Sequence, residues 1–158
     1  MEVRSFEPGD AGPLAVVFHR AVREGARARY DTAQVKAWSP EVPSEAKWSE
    51  RLAAADTVVA AEGDQRVGFM SLNADGYLDL AFVVPEVMGR GVSDALYAVL
   101  ETRARVRRLK RLTTQASLMA EPFFARHGWT VTRRQDVEIR NTLLKNAWME
   151  KALTRRVA

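Results

Sequence analysis

The sequence predicts an α/β or α+β domain, and three observations carry that expectation. Segments with strand-like and helix-like apolar patterning follow one another in the order β-α-α-β-β-β-α-β-α-β-β. The chain has 158 residues and 47% apolar content, enough for one core, so a single domain over 1–158 is expected. An apolar strand candidate ending in Phe82-Val83-Val84 runs through Pro85–Gly91 into a helix that starts near Val92.

Taken in order, Val3–Phe6 reads as a short first strand and Glu7–Asp10 as a turn. Asp10 can cap a helix running to about Gly25, whose Leu14, Val17, Phe18, Ala21 and Val22 share one face. Asp31 caps a second helix over Thr32–Trp38, Pro40 and Pro43 break it, and Ser44–Ala54 resumes as helix. Thr57–Glu62 and Gln65–Leu72 read as strands joined at Gly63-Asp64, and Ala74–Gly76 turns the chain into a long strand over Tyr77–Val84. A helix follows over about Val92–Arg105, then a strand at Leu112–Ala116. Ser117 starts a helix that Gly128 stops, and Trp129–Asp136 and Val137–Lys151 supply two strand-rich segments.

The absence of cysteine excludes disulfides, thiolate metal sites and a Cys nucleophile. Two histidines with no metal-like spacing point to no metal. No apolar run approaches membrane-spanning length, and the charged N-terminus does not read as a signal peptide, so a cytoplasmic protein without membrane contact is expected. The net charge of +4 is uneven, −5 over residues 1–100 and +9 over 101–158. The densest cluster, Arg103–Arg111, lacks interleaved aromatic residues, and nucleic acid is not the expected partner. It is either solvated surface or an attraction for a small polyanionic cofactor.

The Met88–Ser93 junction is the most informative stretch. Gly89 and Gly91 permit unusual backbone dihedrals, so consecutive N–H groups can converge on an anion ahead of a helix dipole, with Arg90 adding charge at the rim. A plain β-turn-α connection is the competing reading. The loop matches neither the Walker pattern nor Gly-x-Gly-x-x-Gly, because Lys is missing and Asp94 stands where a third Gly belongs.

Val83–Leu96 resembles the acyl-CoA-binding motif of the GNAT N-acetyltransferase superfamily, Gln/Arg-x-x-Gly-x-Gly/Ala after a strand ending near Val-x-Pro. Gly91 matches, Met88 replaces Gln/Arg and Ser93 replaces Gly/Ala. Downstream, Ser117-x-x-Ala120-x-x-Phe123-Phe124-x-x-x-Gly128-Trp129 is similar to the family's Asn-x-x-Ala-x-x-Leu/Phe-Tyr-x-x-x-Gly-Phe element. Ser117 stands for Asn and Phe124 for Tyr. The resemblance implies a mixed, mostly antiparallel central sheet flanked by helices and splayed between its fourth and fifth strands. It implies acetyl-CoA as acyl donor, its pantetheine against Val83 and Val84 and its pyrophosphate against the amides of Met88, Gly89, Arg90, Gly91, Val92 and Ser93. Ser117 and Phe124 would flank the same cleft.

The implied activity is acyl-CoA-dependent N-acyltransfer, with acetyl passing by direct attack to a primary amine of a small molecule or peptide. Such transfer needs a neutral amine, a donor at the developing oxyanion and a proton for the thiolate. The resemblance gives the second task to the Val83 N–H. It gives the third to a Tyr where this chain has Phe124, so an acyl-CoA sensor with weak or no turnover is the alternative function. Asp79 interrupts an apolar strand; it is read as a base, as a contact for a cationic substrate, or as a paired structural carboxylate. Tyr30 is a substrate contact and replacement proton source, and His19 and Gln115 are substrate-side candidates. A monomer or homodimer fits equally well.

Overall fold

The computed structural model describes residues 1–153; positions 154–158 of the domain expected over 1–158 lie outside the described residues. Among the described residues seven strands and five α-helices follow the expected order, with three helices before the second strand where the condensed order has two: β1 (Glu2–Ser5), α1 (Ala11–Arg23), α2 (Thr32–Trp38), α3 (Glu45–Ala53), β2 (Asp56–Glu62), β3 (Gln65–Leu72), β4 (Leu78–Val83), α4 (Val92–Val106), β5 (Arg111–Ser117), α5 (Glu121–Arg126), β6 (Thr130–Ile139) and β7 (Thr142–Ala152). The strands form two antiparallel sheets, β1-β2-β3-β4 and β5-β7-β6. A single parallel bridge between Tyr77 and Thr113 joins them. Among the described residues no helix is long and apolar enough to cross a membrane.

Local chemistry explains most boundaries. Asp31 accepts from the Gln34 amide at 2.8 Å while Gln34 Oε1 accepts from the Asp31 amide at 2.9 Å, a reciprocal cap that starts α2. Gly63, with φ +59°, takes the first corner of the two-residue β2–β3 turn. The β6–β7 turn falls at Arg140-Asn141, with φ of 47° and 62°, values that suit a tight hairpin. The boundary read loosely between Asp136 and Val137 is thereby corrected: β6 runs on to Ile139.

Two helix starts also differ from expectation. Asp10 makes no side-chain cap to α1; its carboxylate is fully buried and accepts from Arg4, Arg66 and the Glu7 amide. Charge pairing across β1 and β3 outcompetes capping at this position. Ser117 ends β5 instead of opening a helix, and α5 begins at Glu121. The Ser117 hydroxyl accepts from the Ala120 amide at 3.1 Å and turns the chain between the two.

Neighbouring residues along β3 and β4 point to opposite faces. Phe69 and Phe82 meet Phe18 of α1 and Trp48 of α3 on one face. Gly68 and Val83 face Leu96 of α4 on the other. A Cβ at Gly68 would lie 2.7 Å from Val83 Cγ1 and 3.2 Å from the Phe82 carbonyl oxygen. Gly68→Ala should therefore cost about 1–3 kcal/mol by overpacking. Denaturant unfolding would show this as a lowered midpoint, and an unchanged midpoint would contradict the close approach.

Candidate active site

β4 and β5 start side by side at Tyr77 and Thr113 and pair no further. The divergence leaves one edge of β4 without a ladder partner. The Val84 N–H donates to the Val67 carbonyl at 2.9 Å, and Phe82 pairs with Phe69, so alternate residues of β4 bond to β3. By that alternation the backbone groups of Ala81 and Val83 face the gap toward β5.

The loop beyond β4 builds the upper end of the gap. Gly91 precedes α4 with φ 84°, and Gly89 has φ 76°; a Cβ at either would meet nothing within 4 Å. The first intrahelical bond of α4 is Ala95 N–H to the Gly91 carbonyl. The amides of Gly91, Val92, Ser93 and Asp94 therefore have no intrahelical acceptor, as at any helix start. The Met88 and Arg90 amides behave otherwise and donate to the Pro85 and Val87 carbonyls, each at 3.2 Å. The full Met88–Ser93 set expected from the sequence thus shrinks, because the tight turn consumes two of its donors.

A cavity of about 440 Å³ lies under this loop, lined by Val83, Gly89, Gly91, Val92 and Ser93 among others. Gly25, with no side chain, and Ala26, with a methyl group, also line it, and Arg126 stands on its wall. Arg126 was not foreseen; its guanidinium lies 5.6 Å over the Phe123 ring and 3.6 Å from Asp94. Its spacing from Phe123, one helical turn, is the signal that places it there. Arg90 is exposed and is not among the lining residues. The basic stretch points elsewhere as well: Arg103 and Arg107 pair with Asp56, and Arg111 with Glu150.

A second cavity of about 360 Å³ opens on the other side of the gap. The two share Trp38, Ala81, Phe82, Ser117, Ala120 and Phe124. Ser117 and Phe124, read from the sequence as cleft residues, thus sit where the cavities meet. Phe124 is buried, and its ring offers no proton there.

Asp79 lines the second cavity. It is an extra residue in β4: Leu80 pairs with Ser71 and Leu78 with Leu72, so Asp79 has no counterpart on β3. Such a bulge re-aims a side chain. Here both carboxylate oxygens accept from Arg51 of α3, at 2.8 and 2.9 Å. Tyr30 also lines this cavity, and its hydroxyl is doubly engaged, donating to the Lys145 carbonyl at 2.6 Å and accepting from the Leu118 amide at 2.9 Å. Burial pushes its pKa upward. Gln115 bridges Tyr77 and Gln135 on the same wall. His19 lines neither cavity. Its Nδ1 lies 2.7 Å from the Ser39 hydroxyl, and burial lowers its pKa. Asn146 is an unforeseen member: its Oδ1 is buried in the second cavity's wall with no hydrogen-bond partner among the described residues.

Residues 26–152 match the family model of the acetyltransferase (GNAT) domain. The chain is 36% identical over 149 residues to the uncharacterized N-acetyltransferase YafP of Escherichia coli K12, covering 94% of each. A solved structure from Rhodopseudomonas palustris, described as a GCN5-related N-acetyltransferase and class-II aminotransferase, superposes with a TM-score of 0.90 at 33% identity, covering 96% of this chain and 95% of that one. The PaiA N-acetyltransferase of Thermoplasma acidophilum, solved with coenzyme A, shares the fold with a TM-score of 0.77 at 16% identity, over 96% and 98% of the two chains. The splayed sheets, the glycine loop and these matches together mean that the chain belongs to the GNAT acetyltransferase family.

Proposed function

We propose that this chain transfers acetyl from acetyl-CoA to a primary amine by direct attack. The observation that carries the reading is the meeting of two cavities across the β4–β5 gap, one of them ending on the glycine loop ahead of α4. The coenzyme A bound by PaiA of Thermoplasma acidophilum supports the choice of donor.

The residues fit the donor's chemistry. Amides of Gly91, Val92 and Ser93 would hold its phosphates, aided by the α4 dipole and the Arg126 charge. The absence of any atom within 4 Å of the Cβ positions at Gly89 and Gly91 leaves room for that approach. Val83 would border the pantetheine, and its N–H, facing the gap, would stabilise oxyanion charge at the thioester carbonyl; Val84, expected beside it, is instead bonded to Val67 of β3 and lines neither cavity. Asp79 belongs to the acceptor side. The base role read from the sequence requires one of its oxygens to be released by Arg51.

Phe124 and the engaged Tyr30 hydroxyl favour one rival reading, an acyl-CoA sensor without useful turnover. Calorimetry with acetyl-CoA and thiol release in the presence of amines separate the two. The expected result is saturable binding and amine-dependent release of CoA. Binding without release would leave the sensor, and absence of binding would remove both.

A further inference from the structure

The acceptor cavity itself carries a statement about the acceptor. One part of its wall is apolar and aromatic, built on Phe18, Trp38, Leu80, Phe82, Ile139 and Leu144, and the rest carries neutral polar side chains such as Tyr77, Thr114 and Gln115. Among the described residues that line it, Arg51 and Asp79 are the two charged ones, and each is bonded to the other. The wall therefore offers no unbalanced carboxylate to a polycation and no unbalanced cation to an acidic acceptor. The excess of acidic residues over positions 1–100 does not extend to this cavity. Fitting a second charge into it would mean desolvating that charge without a counterion.

One polar feature stands out from these walls. Asn146 Oδ1 is shielded without a partner, a condition that costs free energy and that a turn of the half-buried amide toward a donor in the cavity would relieve. Asn146 is the strand partner of Ser117, and Ser117 lines both cavities. Cross-strand partners project on the same face. Asn146 therefore stands beside the junction where an acceptor would meet the acyl donor. An amide oxygen accepts a hydrogen bond and takes no proton, so it suits an N–H and not a deprotonation.

We propose, resting on the acetyltransferase reading above, that the acceptor is a small monoamine with an apolar body, positioned by a hydrogen bond from its nitrogen to Asn146 Oδ1. The body fills the aromatic walls and the nitrogen, attacking as the free amine, is held at the junction. The C–N bond forms as the C–S bond breaks. The sulfur leaves with the bonding electron pair, and the proton lost by nitrogen goes through solvent to the thiolate. Asn146 is a specificity and positioning residue that moves no proton.

The test uses the full chain and thiol release with 2-phenylethylamine, hexylamine, spermidine and glycine as acceptors. The expected result is a kcat/KM at least about tenfold higher for the two apolar amines than for spermidine or glycine, a difference of about 1.4 kcal/mol. Asn146→Leu keeps size and removes the acceptor oxygen. It should lower kcat/KM for 2-phenylethylamine about tenfold or more, mainly through the amine KM, with calorimetric affinity for acetyl-CoA held within about twofold. If acetyl-CoA binds but spermidine or glycine is the better acceptor, the inference is overturned while the donor assignment stands. If Asn146→Leu leaves the amine KM unchanged, the positioning role is overturned. If acetyl-CoA does not bind, the acetyltransferase reading falls first and takes the inference with it. The comparison of amines on the unaltered protein decides the matter even if the variant folds poorly.

Discussion

Asp10→Asn should destabilise the protein by about 3–5 kcal/mol, the range for removing one partner from a buried charge cluster. The carboxylate is fully buried and accepts from Arg4 Nη1 and Nη2, each at 2.8 Å, from Arg66 Nε at 2.9 Å and from the Glu7 amide at 2.8 Å. Arg4 sits on β1 and Arg66 on β3, so one side chain ties the strands on both sides of β2 to the turn before α1. An amide in its place brings an NH2 group against a guanidinium and leaves two cations short of an acceptor. Burial pushes the Asp10 pKa up, but Arg4, the Glu7 amide and Arg66 outweigh it and hold the value at about 2, below the ordinary 3.8. The folded value is the lower one, so this stabilisation is present above about pH 4 and is lost as pH falls through about 2. The shift corresponds to about 2 kcal/mol. Denaturant unfolding at pH 7 and pH 3 should show the gap between native protein and variant narrowing in acid. A gap that stays constant would mean that the charge of Asp10 is not what stabilises the corner.

Gly91→Val should remove most affinity for acetyl-CoA, raising Kd about tenfold or more, which is about 1.4 kcal/mol. Two effects coincide. A β-branched residue at φ 84° is strained by about 1–2 kcal/mol, which pulls the backbone away from the conformation that presents the α4 amides. The new side chain would also stand in the open space where nothing lies within 4 Å of the Cβ position. Most of the buried face of α4, on Leu96, Tyr97, Leu100 and Ala104, lies further along the helix than Val92, so the melting transition should remain cooperative. Calorimetry reads the loss. An unchanged Kd would show that the donor's phosphates are held elsewhere.

The order of elements was legible because each rests on local chemistry. The Asp31 cap, the Gly63 turn and the glycine-to-helix step at Gly91 can be seen within a few residues of sequence. The divergence of β4 and β5 came from the family resemblance, since no short window encodes which strands part. What escaped local reading was set by distant partners. Asp10 looks like a helix cap until Arg66, far along the chain, is seen to claim it. For Asp79 a paired carboxylate is among the readings, but its partner, Arg51, and the bulge that turns it there lie beyond any local window. Asn146 carries no local signal of its own, and its place in the site depends on Ser117, its neighbour on β5. Ser117 itself reads as a helix start from its hydroxyl, whereas pairing with β7 draws it into a strand.

The single Tyr77–Thr113 bridge also bears on how such a scaffold can change. Beyond that bridge no continuous ladder fixes the width of the opening. The Tyr30 oxygen, which fastens the helical N-terminal part to both Leu118 and Lys145, is one of the links spanning it, beside Gln34 to Leu143 and Arg140 to Ala37. Alterations around that oxygen would reshape the entrance while leaving every paired strand intact. A fold constructed this way can acquire new acceptors by exchanging side chains, with its backbone architecture undisturbed.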